Sequence, residues 1–133
     1  MPITYKETKE FRPEELERLF LSIPWASGQY PDKLVQAMRN SSHVISAWDG
    51  NILVGLVRSL DDGVTAAFIH YLLVDPEYQG QHIGEQLMRR LLAYYDDFFY
   101  VKVMPSDPNT IGFYKRFGFQ EYDNYSALVI KHI

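Results

Sequence analysis

The chain of 133 residues contains no cysteine. That absence excludes disulfides, thiolate metal sites and a cysteine nucleophile. No stretch approaches the ~20 apolar residues a bilayer span requires, and Met1-Pro2-Ile3-Thr4-Tyr5-Lys6 lacks the basic-then-apolar layout of a secretion signal. A cytoplasmic location with no membrane partner is the expectation. Positive charge is scarce too: 13 Lys and Arg stand against 17 Asp and Glu, for a net charge of -4. Nucleic-acid binding needs clustered Lys and Arg to displace phosphate counterions, so no nucleic-acid partner is expected. The four histidines, His43, His70, His82 and His132, are too scattered to suggest a ligand set, and no metal is expected.

What is present is apolar and aromatic. With 47% hydrophobic and 15% aromatic residues, the chain can bury a sizeable core, and its length fits one domain over residues 1–133. Ile3-Thr4-Tyr5-Lys6 reads as a first strand, and helices are expected from about Pro13 and from Pro31-Asp32, where proline suits a first helical turn. Between them lies the loop 22–30 with two exposed-looking aromatics. Strands at His43 to Trp48 and Ile52 to Arg58 flank the hairpin turn Asp49-Gly50-Asn51. Asp61-Asp62-Gly63 turns the chain into Thr65 to Val74, whose continuously apolar end suggests burial on both faces. Ile83 to Tyr95 carries a clear 3.6-residue period. Phe98 to Met104 is a further strand, Pro108 to Arg116 a short helix ending at Gly118, and Tyr125 to Lys131 a last strand. The order describes an α+β domain around one mixed, mostly antiparallel sheet flanked by about four helices.

Chemistry begins at Gln79-Gly80-Gln81-His82-Ile83-Gly84, which joins a strand to the most regular helix. A helix N-terminus offers unsatisfied N–H groups and about half a positive charge, enough to hold phosphate without a basic side chain. Glycine lets backbone approach closely and accepts positive φ. The stretch is neither a Walker loop nor the dinucleotide G-x-G-x-x-G fingerprint, and spacing alone equally fits an ordinary strand-helix turn.

The run Leu72-Leu73-Val74-Asp75-Pro76-Glu77-Tyr78-Gln79-Gly80-Gln81-His82-Ile83-Gly84 resembles motif A of the GNAT N-acetyltransferase superfamily, Q/R-x-x-G-x-G/A after an apolar strand. Downstream, Phe113-Tyr114-Lys115-Arg116-Phe117-Gly118-Phe119 is similar to the family's F-Y-x-x-x-G-F segment. The resemblance covers essentially the whole chain and implies a GNAT-like acyl-CoA N-acyltransferase fold. It also implies acetyl-CoA as cosubstrate, held by Leu72, Leu73, Val74, Gln79, Gly80, Gln81, His82, Ile83, Gly84 and Glu85. His82 stands where the family normally has glycine; it is either a tolerated substitution, with the option of a hydrogen bond to phosphate, or a change in the cofactor site.

The implied activity is an acetyl-CoA-dependent N-acetyltransferase, an acyltransferase moving acetyl to a primary amine by direct attack. In that resemblance Tyr114 protonates the departing thiolate. His70, on the long strand, is the candidate base, with an ordinary pKa near ~6.5; the other reading is a strand histidine bonded to a neighbour. The glutamate of histone-acetylating members would align with Phe68 and is absent. Asn109 is a candidate contact to the cosubstrate, although Asp107 or Asn109 can equally cap the following helix. Trp25, Tyr30 and Tyr71, with Tyr122, Tyr125 and the carboxylates Asp32, Asp61, Asp62 and Asp123, would attract a small aromatic or aliphatic amine. The competing function is a catalytically weak domain that binds acyl-CoA as a sensor or interaction module. The last strand is a candidate to pair across a homodimer.

Overall fold

A sheet buried on both faces needs strands whose alternate residues are both apolar, and the middle of this chain supplies them. The computed structural model describes residues 2–133. Its elements run β1 (Ile3–Lys6), α1 (Pro13–Ser22), α2 (Pro31–Arg39), β2 (His43–Asp49), β3 (Ile52–Asp61), β4 (Ala66–Val74), α3 (Ile83–Leu92), β5 (Tyr100–Val103) and α4 (Ile111–Lys115). Short 3-10 turns lie at Ala26–Gln29, Pro76–Tyr78 and Pro108–Thr110. The strands form one sheet in the order β1-β2-β3-β4-β5. The first four are antiparallel, and β5 joins β4 in parallel after the crossover through α3.

From β2, Ile45 and Ala47 enter the core that includes Ile83, Leu87, Met88 and Leu91 of α3. Val44 and Trp48 enter the opposite core with Leu16, Leu19 and Phe20 of α1 and Leu34 and Met38 of α2. Each such side chain removed from water contributes about 1.5–3 kcal/mol, so the two helical layers are what hold the sheet. The start of α1 is closed locally: the Arg12 N–H donates to Glu15 Oε2 at 2.8 Å, with Pro13 in the first turn.

Three expectations are corrected. α3 ends at Leu92 instead of Tyr95, because Tyr94 and Tyr95 N–H groups bond three residues back, to Leu91 and Leu92, and the helix tightens out of register. The end of β4 is not buried on both faces: Tyr71, Leu72 and Val74 are half-buried, because β5 leaves β4 beyond the Ile69–Val103 pair. Residues 125–131 form no strand; Leu128 and Ile130 are 92% and 85% exposed. Apolar β-branched side chains raise strand propensity, but a strand also needs a ladder partner, and among the described residues none lies alongside this segment.

Candidate active site

The sheet opens where β4 outruns β5. β4 pairs with β5 only from Ala66↔Tyr100 to Ile69↔Val103, so residues 70–74 leave their β5 side without ladder hydrogen bonds. On the other side the β3–β4 register slips between Leu56↔Leu73 and Arg58↔His70, putting two residues, Tyr71 and Leu72, opposite Val57. This is a β-bulge, and Tyr71 sits in it at φ +57°. A bulky residue in the left-handed region costs about 1–2 kcal/mol and persists only where surrounding structure holds it. Here the surroundings do so: the Tyr71 ring stacks on His70 at 3.8 Å, meets Phe20 edge-on at 5.0 Å, and its hydroxyl shares a 2.9 Å hydrogen bond with the Ser27 hydroxyl.

The bulge places His70 and Tyr71 on an open cavity of about 240 Å³, lined also by Trp25, Phe68, Met104, Ser106 and Tyr114. Trp25 and Tyr71, predicted as acceptor contacts, are brought together at 6.1 Å between ring centroids. Tyr30 lies apart, 45% exposed, on a second cavity of about 470 Å³ with Ser27, Lys33, Leu34, Ala37 and His132. Tyr71 lines both. None of Asp32, Asp61, Asp62 and Asp123 lines either cavity. Asp62 instead accepts from the N–H groups of Val64, Thr65 and Ala66, and Asp61 from the Tyr95 hydroxyl, at the far end of β3. Tyr122 and Tyr125 are exposed beyond the cavities.

Tyr114 is buried at 9% exposure, wedged edge-on against Phe113 and Phe119. Its hydroxyl has no protein partner among the described residues, yet no buried side-chain oxygen is left unsatisfied, so the oxygen opens into the cavity while the ring is core. Burial raises the phenol above its ordinary value and keeps the proton on it at neutral pH.

His70 differs from its expectation. Arg58 donates to its Nδ1 from Nη2 at 2.8 Å and from Nε at 3.2 Å. The Nδ1 lone pair is therefore occupied, and the proton of the neutral ring resides on Nε2. Burial, then the neighbouring guanidinium, lower the pKa from 6.5 to about 4. The ordinary value near 6.5 does not apply here.

The candidate cradle lies beyond the C-terminal end of β4. Asp75, 4% exposed, accepts from the Glu77 N–H at 3.0 Å and pairs with Arg18 at 2.9 Å, while the Tyr78 hydroxyl donates to Asp49 at 2.6 Å. These contacts tie the turn after β4 to α1 and to the β2–β3 hairpin. Gln79 donates to the Val74 carbonyl at 3.2 Å. The first bond of α3 runs from the Gln86 N–H to the His82 carbonyl, so the N–H groups of residues 82–85 project from the helix start without partners among the described residues. Gly80 has φ +84° with nothing within 4 Å of an added Cβ, and a Cβ on Gly84 would make only ordinary contact with Phe113 at 3.7 Å. A helix start with free N–H groups is able to hold an anion such as a pyrophosphate. His82 takes φ +63°, which is why a glycine suits this position, and its exposed ring turns to Glu85 at 3.2 Å. Ile83 and Leu73 point into the cores, so only their backbones face this region.

Asn109 is exposed, and its N–H donates to Asp107, which caps the turn Pro108–Thr110; neither residue lines the cavity. Sequence reasoning missed Arg58, Ser27, Lys33, Met104 and Ser106. Arg58 alone carried a signal, as a charged residue directly after the run Ile52-Leu53-Val54-Gly55-Leu56-Val57; the others come together only through the fold.

The family model for the acetyltransferase (GNAT) family matches residues 7–119. The N-alpha-acetyltransferase RimI of Mycobacterium tuberculosis is 31% identical over 101 residues, covering 73% of this chain and 62% of that protein. An uncharacterised N-acetyltransferase, ycf52, of the alga Gracilaria tenuistipitata is 30% identical over 79% of this chain; the chain spans 60% of that relative's length. Among solved structures, a GNAT-family acetyltransferase of Streptococcus pneumoniae superposes with a TM-score of 0.83 at 29% identity, over 99% of this chain and all of the other.

Proposed function

Because the chain belongs to the GNAT family of acetyltransferases, we propose that it transfers an acetyl group from acetyl-CoA to the primary amine of a small molecule. The observation that carries this reading is the cleft itself: a bare helix start at one end, unpaired β4 backbone along its wall, and the Tyr114 hydroxyl opening into its floor. The first-turn N–H groups of α3, with Gly80 and Gly84, hold the pyrophosphate. The backbone of Leu72, Leu73 and Val74 pairs with the amides of the pantetheine arm, which it can do only because β5 has left that edge. When bound, acetyl-CoA supplies an acyl carbon activated as a thioester.

Within that arrangement Tyr114, protonated at neutral pH like any phenol, delivers its proton to the departing thiolate; burial raises its pKa and so makes it a weaker acid for that step. His70 takes a different role from that of a base. With Nδ1 occupied by Arg58, it offers Nε2–H as a donor in the cavity, and a ring this weakly basic is poorly suited to draw a proton from an ammonium. Deprotonation of the amine then falls to solvent entering with the substrate. Trp25 and Tyr71 form the apolar walls that orient the amine.

Calorimetric titration with acetyl-CoA, followed in the same sample by thiol release over a panel of amines, tests the proposal. Saturable binding with turnover on at least one amine is expected. Binding without turnover of any amine would instead support an acyl-CoA sensor.

A further inference from the structure

The cavity beside Tyr114 is poorly made for a cation. An amine arriving as an ammonium presents only N–H donors, and where it displaces water it needs acceptors or a counter-charge. No aspartate or glutamate is among the lining residues. Neither the Trp25 indole nitrogen nor His70 Nε2 has a protein partner among the described residues, and no buried side-chain nitrogen is left unsatisfied, so both are open to solvent on residues that line the cavity. Both are donors: indole has no acceptor, and Arg58 on Nδ1 at 2.8 Å sets the imidazole proton on Nε2. The hydroxyls of Ser106 and Tyr114 can accept, but neither supplies a charge. Behind this wall stands a positive one. The Arg58 guanidinium carbon lies 4.9 Å from the centre of the Tyr71 ring, and among the described residues no carboxylate lies within ion-pair distance of it, although Arg12, Arg18, Arg39 and Arg89 each have one. Tyr71 is thereby already engaged as a cation–π partner, its ring stacked on His70 at 3.8 Å and its hydroxyl bonded to Ser27.

We infer that the acceptor is an aromatic amine with its nitrogen carried on the ring, uncharged as it arrives and packed among Trp25, Phe68 and Tyr114. This rests on the acetyltransferase reading and names its substrate class. Such a nitrogen shares its lone pair with the ring, stays unprotonated at neutral pH and calls for no counter-charge. The ring has apolar surface to cover: Phe68 is 37% exposed on its strand, and Trp25 and Tyr114 offer aromatic walls. An aliphatic amine, with a pKa near ~10, is neutral in about one molecule per thousand at pH 7 and has to shed its proton before it can attack. His70 does not take that proton, because its Nδ1 is occupied, and burial followed by the guanidinium holds its pKa at about 4. For the ring amine the balance closes without a base. Its lone pair forms the C–N bond as the C–S bond breaks, the thiolate takes the Tyr114 proton, and the nitrogen, now strongly acidic, gives one proton to water, from which Tyr114 is recharged.

The test compares isomers that differ only in where the nitrogen sits: 4-methylaniline against benzylamine, and 4-ethylaniline against phenethylamine. At pH 7 kcat/KM for each aniline should exceed that of its isomer by at least tenfold. From pH 6.5 to 8.5 the aniline value should stay level while the benzylamine value climbs about tenfold per pH unit, following its neutral fraction. Benzylamine used as well as its isomer at pH 7, or a level benzylamine profile, would overturn the inference, since either requires a group that accepts the ammonium. Ser106→Asp adds a carboxylate at an exposed position on the cavity. It should cut the aniline preference at least threefold by lowering KM for benzylamine, whereas the uncharged Ser106→Asn should not; equal ratios in the two variants would count against the inference. Thermal shift in excess CoA with the same amines reads binding without turnover. Greater stabilisation by 4-methylaniline than by benzylamine upholds the site even where no amine is acetylated, an outcome that would sink the transferase reading alone. Equal or reversed stabilisation, or none by either amine, overturns the substrate class.

Discussion

Protonation of His70 should couple the acid stability of the protein to the burial of this ring and, second, to the Arg58 guanidinium beside it. The folded pKa is about 4 against 6.5 for the free side chain, so between those values the unfolded chain binds a proton that the folded chain refuses. Stability then rises with pH across that window: it is complete above about 6.5 and is lost as pH falls toward 4. At 1.36 kcal/mol per pH unit the upper bound is about 3 kcal/mol, and partial solvent access to the ring reduces the expectation to about 1–2 kcal/mol. The perturbation is His70→Gln, whose amide oxygen can still accept from Arg58 but does not titrate. Urea unfolding of both proteins at intervals from pH 7.5 to 4 gives the difference in free energy, in which the other three histidines cancel. Native protein should lose about 1–2 kcal/mol relative to the variant as pH falls from 6.5 to 4.5, with a flat difference above pH 7. A difference independent of pH would refute the displaced pKa, which burial of the ring causes first and the Arg58 guanidinium second.

Tyr114→Phe should lower kcat by roughly 10- to 100-fold, toward the low end of general-acid effects because a thiolate is a tolerable leaving group, with little change in KM for acetyl-CoA; unchanged kcat in a thiol-release assay would remove the proton-donor role. His82→Gly relieves a left-handed residue at φ +63° but adds backbone freedom to the unfolded chain. Stability should therefore move by less than about 1 kcal/mol in thermal unfolding, and acetyl-CoA affinity should hold or improve; a tenfold loss, about 1.4 kcal/mol, would show that the imidazole contributes directly. Asp75→Ala removes both the partner of Arg18 and the cap on the Glu77 N–H, and denaturant unfolding should report a loss of about 2–3 kcal/mol. A loss below about 0.5 kcal/mol would mean that the turn after β4 is held by other contacts.

Local pattern was enough for much of the molecule. The period of Leu87, Met88 and Leu91 placed α3 and Asp49-Gly50-Asn51 placed the hairpin between β2 and β3, because each signal lies within a few consecutive residues; the cradle and Tyr114 were singled out by family resemblance, since glycine spacing alone equally fits an ordinary turn. The segment 125–131 misled for the reciprocal reason: side chains state a preference for extended backbone, but a strand exists only with a hydrogen-bonded neighbour, which propensity does not supply. The state of His70 was beyond the sequence altogether. An isolated histidine titrates near 6.5, and nothing within the neighbouring residues places a guanidinium on its Nδ1; the antiparallel register of β3 and β4 sets Arg58 opposite His70. The β4 bulge likewise brings Tyr71 round to the same cavity. Sequence by itself thus determined which residue types were on hand, and where the helix start and its glycines fall. The tertiary structure decided protonation, charge pairing and which side chains share a cavity, since burial and electrostatic neighbours are properties of space and not of order along the chain.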